Sequence, residues 1–352
     1  MQNVGDVISG GIAALQEHGQ RPRRSYAQAP GPAQATSAFA RDVLHGLQRP
    51  QKSVPPKYFY DERGSRLFEA ITRTPEYYPT RTETALLKAL VPELATLIAS
   101  DTALVEFGSG ASLKTRLLLA AAHQITTYMP IEISREALNG AVQAVRERHP
   151  TVSVHPLCAD FTKPIAFPRG QAHQHRLGFF PGSTIGNLSS REATAFLANA
   201  RRLLGPDAML LVGADLVKDE ATLVRAYDDA SGVTATFNKN LLVRINRELA
   251  GDMDLDAFEH RAVWSADESR IEMHLKSVRA QRFLVAGRTF LMDEGETIHT
   301  ENSRKFTLES FFALADEGGW RVERVWASPP PAFAIFLLRP QAERQTPYGS
   351  RP

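Results

Sequence analysis

The chain has 352 residues, 23% of them charged, with a formal net charge of +2 and a single cysteine. That length buries a large core and leaves room for two domains, while scattered Lys and Arg offer no basic surface for nucleic acid or an anionic membrane. One cysteine excludes an internal disulfide framework, no stretch approaches about 18 apolar residues, and the N-terminus lacks the charged-then-apolar pattern of an export signal, so a cytoplasmic monomer is expected.

Residues 1–37, rich in Gln, Pro, Ala and Gly from position 20 onward, are expected to form a disordered extension. Residues 55–83, PPKYFYDERGSRLFEAITRTPEYYPTRTE, are dense in aromatics; by themselves Tyr58, Tyr60, Phe68, Tyr77 and Tyr78 read as core rings of an N-terminal layer. Thr80-x-x-Glu83 reads as a capping box for the helix that follows. Then comes TALVEFGSGASLKT, an apolar strand ending on Glu106, glycines at 108 and 110, and a helix over 112–122. Such a turn lets backbone amides approach a nucleotide-like ligand. The next apolar run ends on Glu132, about 20 residues on, where an open α/β fold presents an acid to ribose hydroxyls. Leu113 stands where a dinucleotide site wants a third glycine, which weakens a pyrophosphate reading. S-adenosylmethionine has no phosphate, and Glu106 would lie near its sulfonium. An ordinary strand-to-helix turn is the bland alternative.

Ser134 can cap the next helix; VSVHPLCADF and RLGFFPGSTIGN read as strands, Ser189-x-x-Glu192 as a capping box opening a helix to Gly205, and AMLLVGAD as another strand. This βαβα series implies a parallel sheet covered by helices. Cys158 reads as a small buried residue. His173 and His175 form an H-x-H pair without a third ligand, so a solvated loop and no metal are expected. After about residue 217 two helical stretches give way to alternating runs, HRAVWS, RIEMHLKSV, QRFLVAG and RTFLM, an antiparallel meander. HTENSRK reads by itself as a solvated loop. A helix, TLESFFALADEGG, precedes WRVERVWAS and AFAIFLLRP, which should pair as an antiparallel hairpin. A doubly wound, mostly parallel α/β sheet ending in a reversed strand pair resembles the class I (Rossmann-like) methyltransferase layout. Residues 81–216 and 306–340 would then form the cofactor domain, 38–80 and 217–305 a smaller α+β substrate domain, and 341–352 a disordered tail.

The motifs KYFYDERGSRLFEAITRTPEYYPTRTE, EFGSGASLKT, PIEIS, ADF, FFPGSTIGN, YDDASGVTATFNKNLLVRINREL, RIEMHL and IHTENSRKF occur in this order between about residue 50 and 340. In them the chain resembles the histidine Nα-methyltransferase family, enzymes that convert histidine to its trimethylated betaine, hercynine, in ergothioneine biosynthesis. The resemblance implies S-adenosylmethionine as cofactor, held by Glu106, Gly108, Ser109, Gly110, Lys114, Glu132, Asp160 and Phe161; the family often has Asp where Glu132 stands. It implies L-histidine as substrate, with Asn187 and Tyr227 on the carboxylate and Gly182 and Thr184 in the same pocket. Glu301 and Ser303 would read the imidazole with Tyr77 as third partner, and Met273 would line the pocket. Tyr60 and Phe68 fall beside the reacting amine. Glu301 and Met273 keep the histidine-type identities, which disfavours the tryptophan-type relatives; methylation of another amino acid or a related amine is the alternative within the family. A noncatalytic sensor is a further alternative, but it has no need of Tyr60, Asn187, Tyr227, Glu301 and Ser303 together. Without the resemblance, Asn187 reads as a turn residue, Tyr227 as a helix-packing ring and Met273 as core filling.

Overall fold

The computed structural model of the protein describes residues 37–110, 113–167 and 175–342. Nearly all of the expected extension and tail, and His173 of the histidine pair, lie outside the described residues.

Ser37 accepts from the Ala40 amide and opens α1 (Ala38–Leu47), whose Phe39, Val43, Leu44 and Leu47 share a buried face. After β1 (Lys52–Ser53) and a 3₁₀ turn at Pro56–Phe59, Asp61 caps α2 (Glu62–Ile71). The next helix, α3 (Tyr78–Leu97), starts earlier than Thr80: Tyr77 is its N-cap and Pro79, with its fixed φ, sits in the first turn. Glu83 is therefore inside the helix and buried, and the expected capping box does not form.

The glycine loop joins β2 (Thr102–Phe107) to α4 (Leu113–Ala121); β3 (Ile125–Glu132) follows, then α5 (Arg135–Arg148), capped by Ser134. VSVHPLCADF is two short strands rather than one, β4 (Ser153–Val154) and β5 (Leu157–Cys158), with Pro156, which has no N–H to give, between them. Both pair with β3, and Cys158 at this edge is exposed rather than buried. β6 (His175–Phe180) stops at Pro181; the chain turns through positive φ at Gly182 and Ser183 into a 3₁₀ turn at Thr184–Asn187, so GSTIGN is not strand. α6 (Ser190–Leu204) opens with the Ser189/Glu192 capping box, and β7 (Met209–Asp215) is buried throughout.

Then come α7 (Glu220–Tyr227), α8 (Val233–Glu248), β8 (Phe258–Ser265), β9 (Arg270–Ser277), β10 (Gln281–Val285), β11 (Arg288–Met292), β12 (Thr297–Arg304), α9 (Leu308–Glu317), β13 (Trp320–Ala327) and β14 (Phe333–Pro340). The main sheet runs β13-β14-β7-β6-β2-β3-β4, with β5 beside β3. β14 is antiparallel to both its neighbours, so the reversal lies in the last strand alone. This is the class I methyltransferase sheet. β1-β12-β9-β8 form a second sheet, and β10 and β11 a separate hairpin. One apolar cluster gathers Phe39 to Tyr78 with Leu223 to Ile298, and two others cover the main sheet. Asp61 ties this layer together, accepting from Asn240 Nδ2 at 2.9 Å and Arg247 at 2.7 Å, both on α8.

HTENSRK, far from being a solvated loop, lies in β12 as far as Arg304, in a middle strand of the second sheet, with Lys305 just past its end. Its register jumps at Thr300: His299 pairs with His274, but Glu301 pairs with Met273. The bulge places Glu301 and Ser303 on the buried face that Ile298 occupies before it, and Thr300 Oγ1 donates to the Met273 carbonyl at 3.0 Å. A backbone bond from Phe306 N to Asp215 O, 3.0 Å, joins the end of this sheet to the end of β7.

Gly186 packs so closely that a Cβ there would lie 2.6 Å from the Arg304 carbonyl oxygen. Gly186→Ala should therefore lower stability by about 1–3 kcal/mol in urea unfolding. An unchanged midpoint would show that this contact between the 3₁₀ turn and β12 is not tight.

Candidate active site

The main sheet reverses its winding between β2 and β6, and the carboxyl ends of these strands border the crevice where open α/β sheets bind ligands. Gly108 and Gly110 have φ of +77° and +43°, which favours glycine at both. A Cβ on Gly110 would have nothing within 4 Å, so the loop is open on that side. Glu132 Oε2 faces the Gly110 amide at 3.4 Å and Oε1 accepts from the Ser134 amide at 3.0 Å. A carboxylate placed here, acceptor-only when ionised, suits a ribose diol. Phe161 lies 3.5 Å from the position of a Gly108 Cβ, and Asp160 accepts from the Thr162 amide and hydroxyl at 3.0 and 2.5 Å. Ser109 is buried, and so is Glu106, which takes a hydrogen bond from Tyr128; burial pushes its carboxyl up to about 7. Lys114 pairs with Glu83, whose two oxygens also accept from the Gly182 amide at 2.9 and 2.8 Å. Thr184 Oγ1 donates to the Pro181 carbonyl at 2.8 Å, closing that turn.

A line of rings borders the other side. Tyr60 meets Phe68 at 5.7 Å and Phe237 at 5.9 Å, Phe68 meets Tyr77 at 6.2 Å, and Tyr77 meets Tyr227 at 5.9 Å, all edge-on. Burial holds the phenols of Tyr60, Tyr77 and Tyr227 above their ordinary value, so all three stay protonated at neutral pH.

The polar groups converge beyond these rings. Asn187 Nδ2 donates to Glu301 Oε1 at 3.1 Å, the Tyr227 and Ser303 hydroxyls share a bond of 2.6 Å, and Met273 stands opposite Glu301 across the sheet. Burial raises the Glu301 carboxyl to about 7, against the pull of the Lys305 charge and the Asn187 bond. Behind them Lys305 reaches Tyr227 and Ser303 at 2.8 Å each and Asp215 at 2.9 Å. Asp215 also accepts from Tyr78 and Lys218 at 2.6 Å each, and burial lowers the Lys218 ammonium to about 8.

The family described as "Histidine-specific methyltransferase, SAM-dependent" matches residues 39–340. The chain belongs to this family. It is 44% identical over 308 residues to the "Histidine N-alpha-methyltransferase" of Mycolicibacterium smegmatis, covering 86% of this chain and 95% of that one. Its likeness to the protein of the same name from Mycobacterium tuberculosis is 44% over 306 residues, 85% of this chain and 94% of that one. "Ergothioneine biosynthesis protein 1" of Neurospora crassa is 32% identical over 206 residues, 57% of this chain and 23% of its own. The protein is thus an S-adenosylmethionine-dependent methyltransferase, and the open glycine loop and Glu132 fit that cofactor.

Several residues of this methyltransferase carried no usable signal in the sequence. Asp215, Lys218, Phe237 and Lys305 have no local pattern that marks them as site residues. In the sequence Glu83 reads as part of a helix cap. Only the fold brings them to the site.

Because the folded protein holds Glu301 at about 7 rather than 4.5, it retains a proton there that the unfolded chain has lost. The stability this gives is complete below the unfolded value and disappears as pH rises through about 7. Glu301→Gln should therefore stabilise the apo protein at alkaline pH by roughly 1–3 kcal/mol. Thermal unfolding of both proteins at pH 8 and pH 5 checks this; a variant less stable than wild type at pH 8 contradicts it.

Proposed function

We propose that the protein transfers three methyl groups from S-adenosylmethionine to the α-amino group of L-histidine, giving hercynine as a step toward ergothioneine. The observation that carries this reading is the buried Glu301 carboxylate, tied to Asn187 and set beside the Tyr227–Ser303 hydroxyl pair. An acid that burial disfavours gains most from a ligand that brings an N–H to it, and an imidazole does so. The names of the mycobacterial and Neurospora relatives support the substrate and the pathway.

The bound cofactor supplies an electrophilic methyl on a sulfonium, and in each transfer an N–C bond forms as the S–C bond breaks, leaving S-adenosylhomocysteine. Starting from the ammonium form of histidine, three protons leave in all, one before each attack. The third product is a fixed cation with none to lose. An α-amino group has a pKa of about 8, and an aromatic, low-dielectric pocket lowers it. Tyr60 is held as a phenol by burial and by the Glu301 charge, so it passes a proton on only by exchange and is no strong base. Its ring and that of Phe68 face the growing ammonium, a contact worth about 0.5–2 kcal/mol. Asn187 donates to the substrate carboxylate with the Tyr227 side chain beside it, and Glu301, Ser303 and Tyr77 orient the ring, so that the amine meets the methyl in line. That positioning accounts for most of the rate.

Mass spectrometry of a mixture of the common amino acids, incubated with the protein and S-adenosylmethionine, should show histidine alone gaining methyl groups, with the trimethylated product accumulating. Methylation of another amino acid would refute the assignments of Met273, Glu301 and Ser303. Cofactor binding without any methylated product would favour a sensor instead.

A further inference from the structure

We infer that Lys305 is a positioning residue that fixes the donor and acceptor polarity of the pocket and so its choice of ring, an inference that rests on histidine being the substrate. Lys305 has almost no exposed surface, and an ammonium has three N–H donors and no acceptor. All three are engaged, with Asp215 Oδ2 at 2.9 Å, Tyr227 Oη at 2.8 Å and Ser303 Oγ at 2.8 Å. Both hydroxyl oxygens therefore accept from Lys305. They also lie 2.6 Å from each other, so one donates to the other. Two hydroxyls carry two protons; one occupies the shared bond, and the other is turned outward. A phenol is the stronger acid, so Tyr227 donates to Ser303 and the outward proton belongs to Ser303. Tyr77 also hydrogen-bonds to Tyr227, and adding its phenol to the end of this line leaves the count the same.

Glu301, two residues earlier on the same face of β12, offers only acceptor oxygens when ionised, one of them already bonded to Asn187 at 3.1 Å. The pocket thus presents one acceptor and one donor. A ligand ring must bring one N–H and one bare nitrogen, the pattern of neutral imidazole. Indole has no bare nitrogen, and a benzene ring has neither group. Without Lys305 both hydroxyls could rotate, and the pocket would no longer impose one polarity.

The test compares wild type with Lys305→Met, Ser303→Ala and the double variant. Asp215 keeps Lys218 and Tyr78 at 2.6 Å each in Lys305→Met, so no buried charge is orphaned. Histidine KM should rise about 10–100-fold in each single variant, with kcat changed less than about threefold. Inhibition by phenylalanine and the affinity for S-adenosylhomocysteine should hardly change, so the preference for histidine over phenylalanine narrows. The double variant should be little worse than either single one, because both abolish the same fixed outward donor, one by removing the hydroxyl and the other by freeing it to rotate. Preference retained in Lys305→Met, or losses that multiply in the double variant, would overturn the inference. If Lys305→Met does not fold, Ser303→Ala alone decides, and a retained preference there overturns it as well. Wild-type protein that leaves histidine unmethylated would remove the substrate reading itself, before any variant is compared.

Discussion

Asp215 has no exposed surface, and a carboxylate in that position is tolerable only if its charge is met at close range. Two ammonium groups and a phenol meet it, and they come from three separate parts of the chain: Tyr78 from the start of α3, Lys218 from just beyond β7, and Lys305 from the end of β12. Satisfying one acid thus fixes where the N-terminal layer and the second sheet sit on the carboxyl end of the main sheet. The Phe306–Asp215 backbone bond reinforces the same junction.

The second constraint is the bulge at Thr300. Strict alternation from Ile298 would turn Thr300 and Asn302 inward and leave Glu301 and Ser303 on the other face. One extra residue reverses that assignment, and the pocket gains an acid and a hydroxyl in place of a threonine and an amide. The acid is held at some cost to the folded state, since burial opposes its ionisation. Stability given up at a binding group is a common consequence of shaping a site for its ligand. Around these groups the rings of Phe237, Tyr60, Phe68, Tyr77 and Tyr227 form an unbroken apolar wall, so polar recognition is confined to a few directed groups.

Glu83 joins the two halves of the site. It holds Lys114 at the start of α4 and the Gly182 amide at the turn after β6, so the helix following the glycine loop and the loop carrying Asn187 share one buried acid. It sits there because Pro79 starts α3 a turn earlier than Thr80 would, which draws Glu83 into the helix and toward the sheet. A change in one loop therefore meets the other through a single side chain.

The parallel series from Thr102 to Asp215 was legible in the sequence because its signals are local: apolar runs of strand length, glycines at the tight turn, and serines at helix starts. The same holds for the meander, the closing hairpin, and the glycine loop with Glu132. Family resemblance pointed to Tyr60, Asn187, Tyr227, Glu301 and Ser303 without showing how they meet. What only the tertiary structure decided is the register of β12, the burial of Glu83, and the gathering of Asp215, Lys218 and Lys305. HTENSRK looks polar because its inward side chains face a polar cluster, so its hydropathy is that of a solvated loop. Local pattern reports whether a residue favours water. It does not report which distant charge will take water's place, because that partner is set by the packing of segments far apart in the chain.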